Sequence, residues 1–220
     1  METYKIIFLG DSFTNCNGLS EVDTWPTLVS GMLNKKFESR VNLDFQKSVA
    51  TQENTRGVLE RLQRDILFAN PDIITIQYGT NDSTYLLSNR GAPLVSQEAF
   101  RANLVELVDK CRLFDIKRLV FLTNHPVALE RYDVNGFSPD ENTKIYDQIV
   151  REVASTSACH LADVRKAMES YSPSELCLDD KIHVNKFGAK IYAEAVAHVL
   201  ANVLEGLINF CDQKPAGYEK

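Results

Sequence analysis

Residues 5–14 read KIIFLGDSFT and contain both a strand and the first polar groups that follow it. A run of apolar residues ending at a glycine is typical of a strand buried on both faces, as the strands of parallel sheets are. Ligands of open parallel sheets bind outside the carboxyl ends of the strands. The stretch therefore predicts a buried parallel strand with functional side chains at its end.

The rest of the chain alternates between strand and helix patterns. Further strands are predicted at 41–45, 72–78, 117–123 and 158–164, and helices at 23–37, 54–68, 97–114, 141–154 and 186–210. This alternation predicts an α/β fold with three α/β/α layers and a central parallel sheet of about five strands. The β-branched run at 72–78 favours a central position for its strand.

The domain organisation follows from the same pattern. We expect one domain over residues 1–213 and a polar C-terminal tail over 214–220. Residues 83–96 and 125–140 are long polar loops, and long loops in compact domains are often functional.

Composition and charge exclude several classes of partner. The 220 residues carry a net charge of −6, and no basic cluster is larger than Lys35–Lys36, so nucleic acid is not an expected partner. No apolar run approaches the ~18–20 residues of a membrane span, and the first ten residues have no signal-peptide pattern. Five scattered cysteines without a CxxC pair argue against disulfides and structural zinc. We expect a cytoplasmic protein, and its assembly is left open between a monomer and a homo-oligomer.

Three short blocks carry the polar residues with chemical potential. They are GDSFT at 10–14, GTND at 79–82 and DKIH at 180–183. Two follow predicted strands and the third precedes the last helix. Together they supply a hydroxyl, a base, a carboxylate that can orient the base, and an amide donor, which are the parts that acyl transfer needs.

In these blocks, in their order and in their spacing, residues 4–205 resemble the SGNH (GDSL-type) hydrolases. The resemblance implies a flavodoxin-like fold and a serine hydrolase that cleaves carboxylic esters without a cofactor or a metal. It implies Ser12 as the nucleophile, His183 as the general base and acid, and Asp180 as the group that orients His183. Asn81 and the Ser12 backbone N–H are implied as oxyanion-hole donors.

The sequence departs from the family at the remaining block, which normally supplies a glycine N–H to the oxyanion hole. Residues 46–55 contain no glycine. Alignment on the residues 54–56 and 59–62 places Gln52 at the glycine position, and a shift by one residue would place Thr51 there. A backbone donor needs room and a suitable φ rather than a glycine as such.

The substrate is expected to be a small-molecule ester, with short-chain acyl or acetyl esters favoured over the lipid esters that some members cleave. Candidate substrate contacts are Asp11, Tyr85 and His125, because they lie at the ends of strands or in the two long loops.

Two other functions remain open at this point. In a metal-dependent phosphoesterase, Asp11, Asp82, Asp180 and His183 could surround a metal, although the first strand carries no Asp-x-His motif. In a flavodoxin-like binding module, the first loop would hold a phosphate, although the acidic Asp11 suits that role poorly. Sensitivity to a chelator would identify the phosphoesterase, and a bound nucleotide would identify the binding module.

Overall fold

The structure is a computed structural model that describes residues 1–86 and 90–212. Its centre is a five-stranded parallel sheet. The strands are β1 (Thr3–Gly10), β2 (Asn42–Val49), β3 (Ile73–Gln77), β4 (Arg118–Leu122) and β5 (His160–Ala162). Their order is β2-β1-β3-β4-β5, and every neighbouring pair is parallel. The predicted fold class is confirmed, and β3 is the central strand.

Eight helices are described, and five of them are longer than ten residues. They are α1 (Ser12–Asn15), α2 (Trp25–Phe37), α3 (Thr55–Asp65), α4 (Gln97–Leu113), α5 (Pro139–Thr156), α6 (Val164–Ala167), α7 (Pro173–Leu176) and α8 (Lys186–Asp212). Short 3-10 turns lie at Glu21–Asp23 and Leu67–Ala69.

Alternate residues of β1 enter two separate hydrophobic cores. Ile6 and Phe8 pack with α2 and α8 on one face of the sheet. Ile7 and Leu9 pack with α3, α4 and α5 on the other face. Side chains alternate across a strand, so a strand covered on both sides must be apolar at every position. This explains the uninterrupted apolar run of the N-terminal sequence and the three-layer architecture.

Several boundaries differ from those predicted. β2 extends to Val49 instead of ending at residue 45, because this edge strand is only half-buried and its polar residues hide the pattern. α2 begins at Trp25 instead of residue 23, since Glu21–Asp23 forms a separate turn. α5 begins at Pro139 instead of residue 141, because Ser138 and Glu141 form a capping box.

The last helix has the length and composition of a membrane span. The expectation that no segment reaches that length is wrong, since residues Lys186–Phe210 of α8 are long and apolar enough to cross a bilayer. More than half of the apolar stretch is buried in the fold. Tyr192, Val196, Leu200 and Leu204 are fully buried in the core that α8 shares with α2. These are the contacts of a core helix.

The predicted domain end at residue 213 and the predicted tail 214–220 lie outside the described residues. The four cysteines whose side chains the structure describes, Cys16, Cys111, Cys159 and Cys177, are free.

Candidate active site

A sharp turn from β1 into α1 presents Ser12. Asp11 caps α1, and its Oδ1 accepts a hydrogen bond from the Phe13 N–H at 2.9 Å. Gly10 leaves no room for a side chain, because an added Cβ would lie 2.1 Å from Oγ1 of Thr14. The Trp25 indole N–H donates to the Phe13 carbonyl oxygen at 3.1 Å and holds the turn from the core side.

His183 connects Ser12 to Asp180. The Nε2 atom of His183 lies 3.0 Å from Oγ of Ser12, and its Nδ1 lies 2.7 Å from Oδ2 of Asp180. The other oxygen of Asp180 accepts the backbone N–H groups of Ile182 and His183, both at 2.9 Å. Lys181 adopts a positive φ of 63°, which folds the short segment so that its carboxylate can reach its imidazole.

The Asp180 contacts fix the tautomer of His183. Burial raises the pKa of the Asp180 carboxyl, but the hydrogen bonds from the His183 side chain and from the two backbone N–H groups outweigh it, so the pKa is lowered. An ionised carboxylate only accepts hydrogen bonds, so Nδ1 of His183 carries the proton. Nε2 is then free to accept the proton of the Ser12 hydroxyl.

His125 supports the segment that contains Asp180 and His183. It is fully buried, and its Nε2 lies 2.8 Å from the Ile182 carbonyl oxygen, to which it donates. Burial lowers the pKa of His125 to about 4, which keeps the ring neutral. The backbone N–H of Ala128 donates to the Lys181 carbonyl at 2.8 Å. A buried ring offers no surface to a substrate, so the structure places His125 behind the site and not in its wall.

The Asn81 side chain faces the site but is already hydrogen-bonded. Its Nδ2 donates to Oδ2 of Asp11 at 2.7 Å and to the Glu53 carbonyl oxygen at 2.9 Å. Both amide hydrogens are therefore engaged in the free protein. Donation to an oxyanion requires a three-centre hydrogen bond or the exchange of one of these partners.

Gln52 has the backbone conformation that a glycine usually takes. Its φ is +60°, and it is the third residue of a turn that the Glu53 N–H closes onto the Ala50 carbonyl at 3.2 Å. Positive φ at that position of a turn favours glycine. Its N–H has no hydrogen-bond partner among the described residues. These features fit the alignment that places Gln52, rather than Thr51, at the glycine position.

The charges of two further carboxyl groups, those of Asp82 and Glu53, act on the carboxyl of Asp11. Burial raises the pKa of Asp11 to about 8 against the lowering effect of the Phe13 and Asn81 donors, and the nearby charges of Asp82 and Glu53 raise it further. Burial also raises the pKa of Asp82 to about 6 although Thr55 donates to it. Asp11 has no exposed surface and, like His125, cannot contact a substrate directly.

The pKa of Asp11 makes folding stability depend on pH. The folded protein retains on Asp11 a proton that an unfolded aspartate loses near pH ~4, and it releases this proton only near pH 8. The contribution of Asp11 to the free energy of unfolding therefore falls as pH rises through this window. We expect urea midpoints from pH 5 to 8 to fall more steeply for the wild type than for Asp11→Asn. Equal slopes for the two proteins would contradict this assignment.

Two further predictions concern Tyr85 as a substrate contact and the four residues of the alternative metal site. Tyr85 is half-buried in the loop after Asn81, where its carbonyl accepts a hydrogen bond from the Arg131 side chain at 3.2 Å. Of the four ligands that a phosphoesterase would need, Asp180 pairs with His183, Asp82 accepts hydrogen bonds from Thr55, and Asp11 accepts hydrogen bonds from Phe13 and Asn81. Over the described ranges, no group of three or more His, Cys, Asp or Glu side chains is arranged to hold a metal ion.

A cluster beside the turn at residues 50–53 was not predicted from the sequence. Glu53, Arg61 and Tyr78 are linked by short hydrogen bonds. Arg61 belongs to the LERL segment that anchored the alignment, but nothing local in the sequence indicates its partners.

Two solved structures share this fold. The LAE5 enzyme from the metagenome of Lake Arreo, an alpha/beta hydrolase, is 25% identical, with a TM-score of 0.73 over 90% of this chain and 95% of its own. Axe2, an acetylxylan esterase from Geobacillus stearothermophilus, shares the fold at 20% identity, with a TM-score of 0.74 over 89% and 93% of the two chains.

Sequence comparisons identify the family. The chain is 27% identical over 171 residues to the uncharacterized lipoprotein YqeF of Bacillus subtilis (strain 168), covering 72% of this chain and 69% of that protein. The model of the GDSL-like lipase/acylhydrolase family matches residues 8–191, a range that includes Ser12, Asn81, Asp180 and His183. The chain therefore belongs to the GDSL-like lipase/acylhydrolase family and is a carboxylic ester hydrolase.

Proposed function

We propose that the protein hydrolyses short-chain acyl or acetyl esters through a Ser12-His183-Asp180 triad and an acyl-enzyme intermediate. The observation that carries this proposal is the continuous hydrogen-bonded path from Oγ of Ser12 through His183 to Asp180, with distances of 3.0 and 2.7 Å. Nucleophile, base and orienting group within hydrogen-bond reach are the signature of an activated serine.

Each triad residue has a defined role in the two halves of the reaction. As Oγ of Ser12 attacks the ester carbonyl, Nε2 of His183 takes the hydroxyl proton. Asp180 stabilises the imidazolium and keeps the ring oriented. When the tetrahedral intermediate collapses, His183 donates the proton to the leaving alcohol. In the second half, His183 takes a proton from a water molecule that attacks the acyl-enzyme. The bond between the acyl carbon and Oγ of Ser12 then breaks, His183 returns the proton to Oγ, and the carboxylic acid leaves.

Three donors would stabilise the oxyanion. Two are backbone N–H groups, of Ser12 at the start of α1 and of Gln52 in the left-handed turn, and the third is the Asn81 side chain. Such donors act where negative charge develops, and each is worth ~10²–10³ in rate.

An open site supports a small acyl group. The side chains of Asp180 and His183 are 44% and 18% exposed, whereas Ser12 is only 5% exposed, so the triad opens to solvent on its histidine side. Axe2, which shares the fold, is described as an acetylxylan esterase, an enzyme that acts on acetyl esters. The natural ester is proposed to be a small molecule, and a cytoplasmic location remains part of the proposal.

A fluorophosphonate probe tests the nucleophile directly. We expect it to label Ser12 stoichiometrically and to abolish hydrolysis of p-nitrophenyl acetate, and we expect rates to decrease along a series from acetate to decanoate. Ser83→Ala is the matched control, because Ser83 is a buried serine two residues after Asn81 that is hydrogen-bonded to the Thr80 carbonyl.

Two results would contradict the proposal. One is labelling at another residue with Ser12 unmodified. The other is activity that a chelator removes and zinc or manganese restores, which would favour the phosphoesterase alternative.

A further inference from the structure

The oxyanion loop between β2 and α3 contains a turn that its own sequence does not favour. The turn from Ala50 to Glu53 requires Gln52 at a φ of +60°. A side chain disfavours this conformation, which glycine adopts without a steric penalty. Something outside the turn must therefore compensate for the missing glycine.

A buried ion pair holds the end of this turn. Arg61 binds both carboxylate oxygens of Glu53, through Nε at 2.6 Å and through a terminal nitrogen at 2.6 Å. The Tyr78 hydroxyl donates to the same carboxylate at 2.6 Å. The side chains of Glu53 and Arg61 are only 7% and 14% exposed, so solvent screens the pair little.

Arg61 also holds the beginning of the loop. Its remaining terminal nitrogen donates to Oγ of Ser48 at 2.6 Å, and the nitrogen that binds Glu53 also approaches the Ser48 carbonyl at 3.3 Å. Ser48 is the penultimate residue of β2. One guanidinium on α3 therefore ties together the two ends of the loop that contains Gln52. A planar, five-donor group suits such multiple contacts, and a lysine would not replace it.

Glu53 also holds the side chain of Asn81. The Glu53 carbonyl oxygen accepts a hydrogen bond from Nδ2 of Asn81 at 2.9 Å. A shift of Glu53 would thus move two of the three proposed oxyanion donors, the Gln52 N–H through the chain and the Asn81 amide through this hydrogen bond.

We propose that Glu53, clamped by Arg61 and Tyr78, is a positioning residue that holds the Gln52 turn and Asn81 in the geometry of the oxyanion hole. The clamp stabilises the turn conformation of Gln52, which a glycine would adopt without such support. This inference rests on the proposed function and adds residues that do not touch the substrate.

Kinetics of folded variants test the clamp. For Glu53→Gln and Arg61→Met we expect kcat on p-nitrophenyl acetate to fall about tenfold or more, with KM changed less than about twofold, because misplaced donors weaken only the transition state. The rate of fluorophosphonate labelling at Ser12 should fall in parallel. Adding Gln52→Gly to Arg61→Met should restore part of kcat, since glycine adopts the turn without the clamp.

Controls separate positioning from stability. Arg151→Met breaks another bidentate, partly buried pair, with Asp163, and should lower the melting temperature without changing kcat. If Arg61→Met does not fold, Arg61→Lys and Tyr78→Phe are measured instead, with smaller losses of kcat expected.

The inference is overturned if the folded clamp variants keep wild-type kcat and labelling rates and lose only melting temperature. Failure of the proposed function looks different, because then the wild type itself is neither labelled at Ser12 nor active on the ester.

Discussion

Replacing Ser12 with alanine is expected to lower kcat/KM for p-nitrophenyl acetate by ~10⁴ or more, and His183→Ala is expected to be as damaging. Their side chains lie 3.0 Å apart and act on one proton. Once either is missing the other has no task, so the double variant should be little worse than each single one. Asp180→Ala should cost less, because Asp180 orients the imidazole and does not transfer the proton.

Residual rates on purified, folded proteins measure these effects. His160→Ala is the matched control for the histidine, because His160 is exposed at the start of β5 and should be replaceable without loss of activity. Losses that multiply in the Ser12/His183 double variant would show that the two residues act independently. An alanine variant of Ser12 that retains more than a few per cent of wild-type activity would place the nucleophile elsewhere.

The sheet could be predicted because its signal is local. Each buried strand is a short apolar run, and Ile6 to Leu9 must be apolar at every position since helices cover both faces of β1. β2 gives a weaker signal because it lies at the edge and is half-buried, and its predicted end is four residues too early. The one-turn helix α1 was not predicted, since four residues carry no helical period.

The blocks that contain the triad candidates could be found for a similar reason, whereas the roles of these residues come from the resemblance to the SGNH hydrolases. Ser12 and Asn81 follow strands that are neighbours in the sheet, and Asp180 and His183 lie three residues apart, so short blocks bring them together. The Glu53–Arg61 pair joins different elements, and only the folded chain brings it together.

His125 shows a second limit of sequence reasoning. A residue that follows a strand at the carboxyl edge can point into the pocket or beneath a neighbouring loop, and the sequence does not distinguish the two. The structure gives the second outcome, with the ring under the Ile182 carbonyl. We expect such a residue to influence catalysis through the position of His183, and not through contact with the ester.

Replacing Asn81 with alanine is expected to lower kcat by ~10²–10³, the usual effect of removing one oxyanion donor. The variant should also melt at a lower temperature, because the buried carboxyl of Asp11 and the carbonyl of Glu53 both lose their donor. Asn81→Asp keeps the shape but replaces the amide donor with a carboxyl oxygen, which cannot donate to the oxyanion when ionised and repels its negative charge, so we expect a larger loss of kcat than with alanine.

Asn142→Ala is the matched control for lost stability. Asn142 is buried and, like Asn81, donates its side-chain amide to the carboxyl group of an aspartate, that of Asp133, at 2.9 Å. It should lower the melting temperature and leave kcat on a short ester unchanged. Both amide hydrogens of Asn81 are already engaged in the free protein, so its contribution depends on sharing or exchanging a partner as the oxyanion forms. If folded Asn81→Ala keeps kcat within about threefold of wild type, that exchange does not occur, and the backbone N–H groups alone form the hole.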